Sequence, residues 1–286
     1  MTGEKPKMNL LRQVVAWSFA VAALALTAQP LVVHAKGAPG ENTVTFDAFD
    51  FGFKGPDSIQ GGVVKFQINN VGKDIHHAQL IRLLDGKTAD DFVAGMKQNP
   101  NGPMPGWVKF VGGPNAVIPG GRATAIMDLE PGHYLITCLI PDPKGVLHLT
   151  HGMTQPLTVT APPAKVPEPK ADFTVTLNDF NFSLSKPITA GKHTVKVVNK
   201  GTMPHELVLL HVAPGKKAAD FGNFDPAAGG LPPGKFIGGV VGIEKGMDVY
   251  FEANFIPGHY GLICFFPDEK GEFHFKRGMT LDFVVK

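Results

Sequence analysis

Four residues of three types recur in one order in the two halves of this 286-residue chain. A His follows an Asn-x-Gly turn, at His76 after Asn70-Val-Gly and at His205 after Asn199-Lys-Gly. A Cys closes a Pro-Gly-His-Tyr segment, at Cys138 and again at Cys264. A second His then stands shortly before a Met, as His148-Leu-Thr-His-Gly-Met153 and His274-Phe-Lys-Arg-Gly-Met279. Two imidazoles, a thiolate and a thioether are the donors of a trigonal copper centre of two His and one Cys with a weak axial Met. Both Cu(I) and Cu(II) accept that set, so little rearrangement accompanies a one-electron change, and apolar packing around the sulfur tunes the potential.

Each of these residues has a plainer reading. A Cys on a strand is most often a small buried hydrophobe, and in an exported protein Cys138 and Cys264 are candidates for a disulfide. Equivalent interior positions of two separate domains rarely approach within the Cα separation a disulfide needs, and the same register of Cys, His and Met seen twice favours metal. His77 adjoins His76, but Glu206 stands at that register in the second copy, which makes His77 the lesser ligand candidate. His151 matches Arg277 and reads as solvated or as a support; His133 and His259 lie on the face opposite the Cys and read as surface or packing residues. His193 and His211 have no counterparts, and the repeated Asp142 and Asp268 read as braces of a turn.

The elements that must position these groups are themselves repeated. Thr43–Phe51 resembles Thr174–Phe182, and the motifs that follow recur at offsets drifting from 131 through 129 to 126, as colinear copies with small indels do. Val63–Ile68 and Thr194–Val198 are β-branched runs ending in Asn/Gly turns. Alternation puts Tyr134, Ile136 and Cys138 on one strand face, and Tyr260, Leu262 and Cys264 likewise. Many short strands punctuated by 34 Gly and 25 Pro predict an all-β chain of two Greek-key sandwich or barrel domains. One helical insertion is expected at Thr88–Met96, with Thr88 as N-cap and a shorter counterpart at Lys217–Phe221. The Pro-rich stretch 161–170 reads as an extended spacer, giving a first domain at 36–160, a linker at 161–170 and a second domain at 171–286. Each half is then expected to bury its own core.

Both halves resemble the cupredoxins, the plastocyanin-like blue copper family. The resemblance is carried by the Asn-x-Gly…His turn, the Pro-Gly-His-Tyr strand ending in Cys, and the His-x4-Met interval with Gly before Met. It covers essentially the whole chain after residue 35. Carried over residue by residue, it implies copper ligands at His76, Cys138, His148 and Met153, and at His205, Cys264, His274 and Met279, with one type 1 copper per domain. The chain departs from the family in one respect. Nine residues, Leu139–Leu147 and Phe265–Phe273, separate Cys from the second His, an interval much longer than the usual one.

Residues 1–35 read as a secretory signal, with Lys5, Lys7 and Arg12 ahead of an apolar run from Val14 to Leu26 and small residues at Val33-His34-Ala35. That run is too short to span a bilayer as a helix, so the mature protein is expected in the periplasm or outside the cell, with no membrane span after cleavage. Without those residues the chain carries 24 basic and 24 acidic side chains. A balanced charge excludes the basic field that nucleic-acid binding requires. Two-domain copper nitrite reductases and laccase-like oxidases also use this fold, but they wire a second centre through a His beside the Cys. Here Cys138 is flanked by Thr137 and Leu139, and Cys264 by Ile263 and Phe265. The expectation is therefore an exported type 1 electron carrier working with a redox partner protein, and not an enzyme. A metal-free binding or structural module is the alternative.

Overall fold

The computed structural model describes residues 42–99, 104–162, 165–224 and 231–286. The expected signal segment, 1–35, lies outside the described residues, as do residues 163 and 164 of the expected linker.

The chain is all-β with short helical insertions, as the turn-rich composition predicts. In the first half the strands are β1 (Asn42–Phe49), β2 (Gly52–Lys54), β3 (Ser58–Gln60), β4 (Gly62–Asn70), β5 (Gln79–Leu83), β6 (Val108–Gly112), β7 (Arg122–Leu129), β8 (Gly132–Thr137) and β9 (Thr154–Thr160). The second half contributes β10 (Phe173–Asn178), β11 (Asn181–Leu184), β12 (Gly191–Asn199), β13 (His205–Val212), β14 (Gly234–Ile243), β15 (Asp248–Phe255), β16 (Gly258–Ile263) and β17 (Thr280–Val285). One sheet runs β11-β10-β12-β15-β7-β4-β1-β2 and the other β17-β16-β13-β14-β6-β5-β8-β9-β3. Apart from β3, each order reads as a palindrome about its centre. The two halves therefore meet edge to edge in both sheets, through the pairs Tyr250 with Ile126 and Ile243 with Val111.

Alternation explains which residues face inward. In β4, Val64, Phe66, Ile68 and Asn70 are buried, and in β12 the same register buries Val195, Val197 and Asn199. The inward row thus ends on an amide in each half. Strands β8 and β16 are covered on both sides. Tyr134, Ile136 and Cys138 face the cluster between the sheets, which draws residues from both halves, while Leu135 faces outward into a second cluster. That outer face is covered by α1 (Ala89–Gln98), capped by Thr88 in a reciprocal pair with Asp91 and packed through Phe92 and Met96. The shorter α2 (Ala218–Gly222) covers the corresponding face of the second half through Ala218 and Phe221.

Candidate metal centres

At one end of each half the sequence-predicted imidazoles and thiol converge. One ligand atom from each of His76, Cys138 and His148 lies within 4.8 Å of the others, and the same holds for His205, Cys264 and His274. All six residues are buried, as are Met153 and Met279.

The first His of each set is delivered by the buried amide that ends the strand. Asn70 Nδ2 donates to the carbonyls of Asp74 and Val117, and its Oδ1 accepts from Gly72 N–H. Asn199 does the same with Met203, Ile243 and Gly201. These bonds fold the turn back so that the following His points inward. The turn glycine is required for a steric reason. A Cβ at Gly72 would sit 2.4 Å from Asp50 Oδ1 and 2.7 Å from His76 Nε2, and one at Gly201 would meet Asp179 and His205 equally closely.

The nine-residue excursion after each Cys closes on itself. His148 N–H donates to Ile140 O at 2.9 Å, Leu149 N–H to Cys138 O at 3.0 Å, and Pro141 bridges Leu147. Inside the loop Asp142 Oδ1 accepts from Lys144 and Val146 N–H. A 3-10 turn, His148–His151, then leads into Met153, whose N–H donates to His148 O while its carbonyl accepts from Cys138 N–H. Asp268, the turn His274–Arg277 and Met279 repeat every one of these contacts in the second half. The excursion is a small hairpin whose base returns the second His beside the Cys.

Two carboxylates that sequence reasoning missed complete the sites. His76 Nε2–H donates to Asp50 Oδ1 at 2.7 Å, and His205 Nε2–H to Asp179 Oδ1 at 2.9 Å. Each carboxylate also holds the adjacent turn, Asp50 through Lys73 and Asp74 N–H and Asp179 through both Thr202 N–H and its hydroxyl. Burial works against the Asp179 charge, but the Thr202 and His205 bonds prevail and bring its pKa down to about 2. Asp50 and Asp179 were hidden because the Thr43–Phe51 and Thr174–Phe182 similarity pairs them two residues out of step. The register of the strands corrects this: Ala48 pairs with Asn70 as Leu177 pairs with Asn199. Asp50-Phe51 and Asp179-Phe180 are thus equivalent turns, each at the tip of a hairpin. Phe51 stands edge-on to His148 at 4.9 Å and Phe180 edge-on to His274 at 5.2 Å.

Other histidines fall where their registers suggested. His151 bonds Asp142 and stacks on Phe51, and Arg277 bonds Asp268 and lies over Phe180. His133 and His259 are exposed. Cys138 and Cys264 are both free thiols, which disposes of the disulfide alternative. His77 does not join the donors. Its Nε2 accepts Leu139 N–H at 2.8 Å, as Glu206 Oε1 accepts Phe265 N–H at 2.9 Å.

Burial disfavours charge on the thiols and on the second imidazole of each set. Burial pushes the Cys138 thiol up to about 12, and burial together with the Glu206 carboxylate raises Cys264 well above its usual value. Burial lowers His148 and, with His205 nearby, lowers His274 to about 4. With Nε2 committed to the carboxylate, Nδ1 is the ring nitrogen that His76 and His205 have left for a metal. His76 Nδ1 has no partner, while His205 Nδ1 accepts from His274 Nδ1 at 3.0 Å, leaving His274 Nε2 without one. The Sγ of Cys138 and Cys264 lie 3.5 Å from His148 and His274 Nδ1. Two buried imidazoles and a thiol, with one ring nitrogen in each set lacking a partner, make a soft donor set of two nitrogens and one sulfur that fits copper. A cation bound there would take the place of the thiol proton.

No protein-family model matches the chain, and no curated protein matches it. Among solved structures it is similar to a dithionite-reduced auracyanin from the photosynthetic bacterium Roseiflexus castenholzii, at 17% identity and a TM-score of 0.31, covering 42% of this chain and 98% of that one. It is also similar to a copper-containing nitrite reductase from Thermus scotoductus, at 12% identity and a TM-score of 0.25, covering 86% of this chain and 61% of that one. A blue copper oxidase from Nitrosomonas europaea matches at 15% identity and a TM-score of 0.25, covering 86% and 85%. At these identities the likeness shows the cupredoxin-like fold alone. It does correct one expectation. The two of these structures that span most of the chain are enzymes, so the fold gives no ground for holding that this chain is not one.

Proposed function

We propose that this is an exported copper protein with a type 1 centre in each of two tandem cupredoxin domains, 36–160 and 171–286, and that it transfers single electrons with a redox partner protein. His76, Cys138, His148 and Met153 would hold one ion, and His205, Cys264, His274 and Met279 the other. Bound copper would supply a one-electron couple. The observation that carries the reading is the doubled, buried convergence of two imidazoles and a thiol within 4.8 Å, each with an imidazole nitrogen lacking a partner.

The residues of the chain do the rest. Asp50 and Asp179 hold the Nε2–H tautomer, so that Nδ1 faces the site. Backbone N–H groups aimed at sulfur, such as Glu206 N–H on Cys264 Sγ at 3.5 Å, stabilise the thiolate. Phe51, Phe180 and the surrounding core exclude water. Export is supported by residues 1–35 and fits two free thiols sealed in the interior. No helix among the described residues is long and apolar enough to cross a membrane.

The test is Cu(II) addition to the purified protein. An intense thiolate-to-copper charge-transfer band in the visible and two retained ions after desalting are expected. A colourless protein holding no copper with both thiols reduced would refute the reading.

A further inference from the structure

We propose that Asn115 joins the two centres into one cooperative unit, so that a metal ion held at one site tightens binding at the other. The proposal rests on the copper reading above and adds a connection between the sites that neither needs for its own ligands.

Beside the first imidazole of each site stands a residue tied to the segment of its Cys. His77 follows His76 and Glu206 follows His205. The Glu206 backbone N–H donates to Cys264 Sγ at 3.5 Å. The side chains of His77 and Glu206 accept the N–H of the residue after each Cys, Leu139 at 2.8 Å and Phe265 at 2.9 Å. Both residues are tied to the Asn115 segment. Asn115 Nδ2 donates to Glu206 Oε2 at 3.1 Å. Two residues on, Val117 exchanges backbone hydrogen bonds with His76, the neighbour of His77.

Both ends of the amide are tied. Its Oδ1 accepts Ala116 N–H at 2.7 Å, and Nδ2 lies 3.2 Å from Leu207 O and 3.0 Å from Val240 O. The segment carrying it is laid between the halves. Asn115 N–H donates to Gly239 O, Gly238 N–H to Ala116 O, and Val117 pairs with His76. His77, Asn115 and Glu206 are all buried, so water cannot replace a bond that slips. In such a chain the members move together or not at all. Ordering one Cys and its neighbouring N–H groups around an ion fixes His77 or Glu206, hence the Asn115 segment, hence the opposite member. The second site then has less to order when its own ion arrives, which is positive cooperativity. Linkage makes the effect reciprocal.

The experiment is a competition titration of the full chain with Cu(I) against a chromophoric chelator, with the ions per chain counted by mass spectrometry. Cys138→Ser and Cys264→Ser give the single-site constants, and the parent gives the constant for two ions. Independent sites make the parent constant equal the product of the other two. Coupling is expected to make it larger by about fivefold or more, and Asn115→Leu in all three backgrounds is expected to restore equality. Equality in the parent, or an excess that survives Asn115→Leu, overturns the proposal. If Asn115→Leu fails to fold, His77→Phe breaks the same chain at one link and carries the same comparison. Copper uptake without coupling refutes the bridge alone; no copper uptake by the parent refutes the copper reading and the bridge with it.

Discussion

Asp50→Ala isolates what the hidden carboxylate does for a metal site. The substitution removes the acceptor of His76 Nε2–H, bonded at 2.7 Å, and of Lys73 and Asp74 N–H. The backbone groups lie near the surface beside a carboxylate that is 23% exposed, so water can serve them; the imidazole is fully buried and has no substitute. Its two tautomers then become comparable, and the one with Nδ1 free for a metal loses its advantage. Loss of such an outer partner costs roughly 10–100-fold in metal affinity, or about 1.4–2.7 kcal/mol. Asp50→Asn keeps a carbonyl acceptor and is expected to lose less than tenfold. The assay is a copper competition titration in a Cys264→Ser background, where only the first site remains. Asp179→Ala in a Cys138→Ser background is the matching experiment for the second. If both alanine variants bind copper within twofold of their parents, the carboxylates do not orient the imidazoles and the tautomer reasoning fails.

Three further outcomes are expected. His148→Ala and His274→Ala should each abolish or strongly shift the visible band of their own site, whereas His151→Ala, whose ring lies outside the donor set on Asp142 and Phe51, should change it little; the reverse order would refute the ligand assignment. In the metal-free protein both thiols should resist a chromogenic disulfide reagent at neutral pH and react on denaturation, because Cys138 is held near 12 and Cys264 well above normal. Burial raises Glu206 from 4.5 to about 7, so the folded protein holds its proton more tightly than the unfolded chain; the resulting stability is complete below pH 4.5 and is lost as pH rises through 7. Glu206→Gln should therefore match the metal-free parent in thermal melts at pH 4.5 and gain on it by up to roughly 3 kcal/mol above pH 7, and a constant difference between the two would refute this.

The fold and the convergence of the imidazoles and thiols were legible because each is written twice in short range. Strand alternation buries Val64, Phe66 and Ile68, and Thr88 with Asp91 spells a helix start. His, Cys, His and Met recur in fixed order, and the structure brings both sets of imidazoles and thiols together. The supporting groups were not legible, for two distinct reasons. Asp50 and Asp179 share a position at a hairpin tip, but the neighbouring residues resemble each other better at an offset two residues away; hydrogen-bond register, not similarity, decides which pairing is real. Asn115 belongs to no repeated motif. The part proposed for it depends on a segment of the first half that runs between residues 76–78 and β14 of the second, a tertiary arrangement with no local sequence signal. The same arrangement explains why one core cluster draws on both halves, where self-similarity alone suggested two independent cores.

The hairpin between each Cys and its second His separates two quantities that sequence spacing confounds. What places His148 is the base, where its N–H meets Ile140 O and Leu149 N–H meets Cys138 O; residues 142–146 beyond it are tied only to one another and to His151. The tip is accordingly a cassette. Its length and composition can drift, or be exchanged by an engineer for a peptide epitope or an affinity tag, without dragging the donor atoms along. Such a graft is expected to leave the donor atoms, and with them the colour of a copper-loaded protein, unaltered.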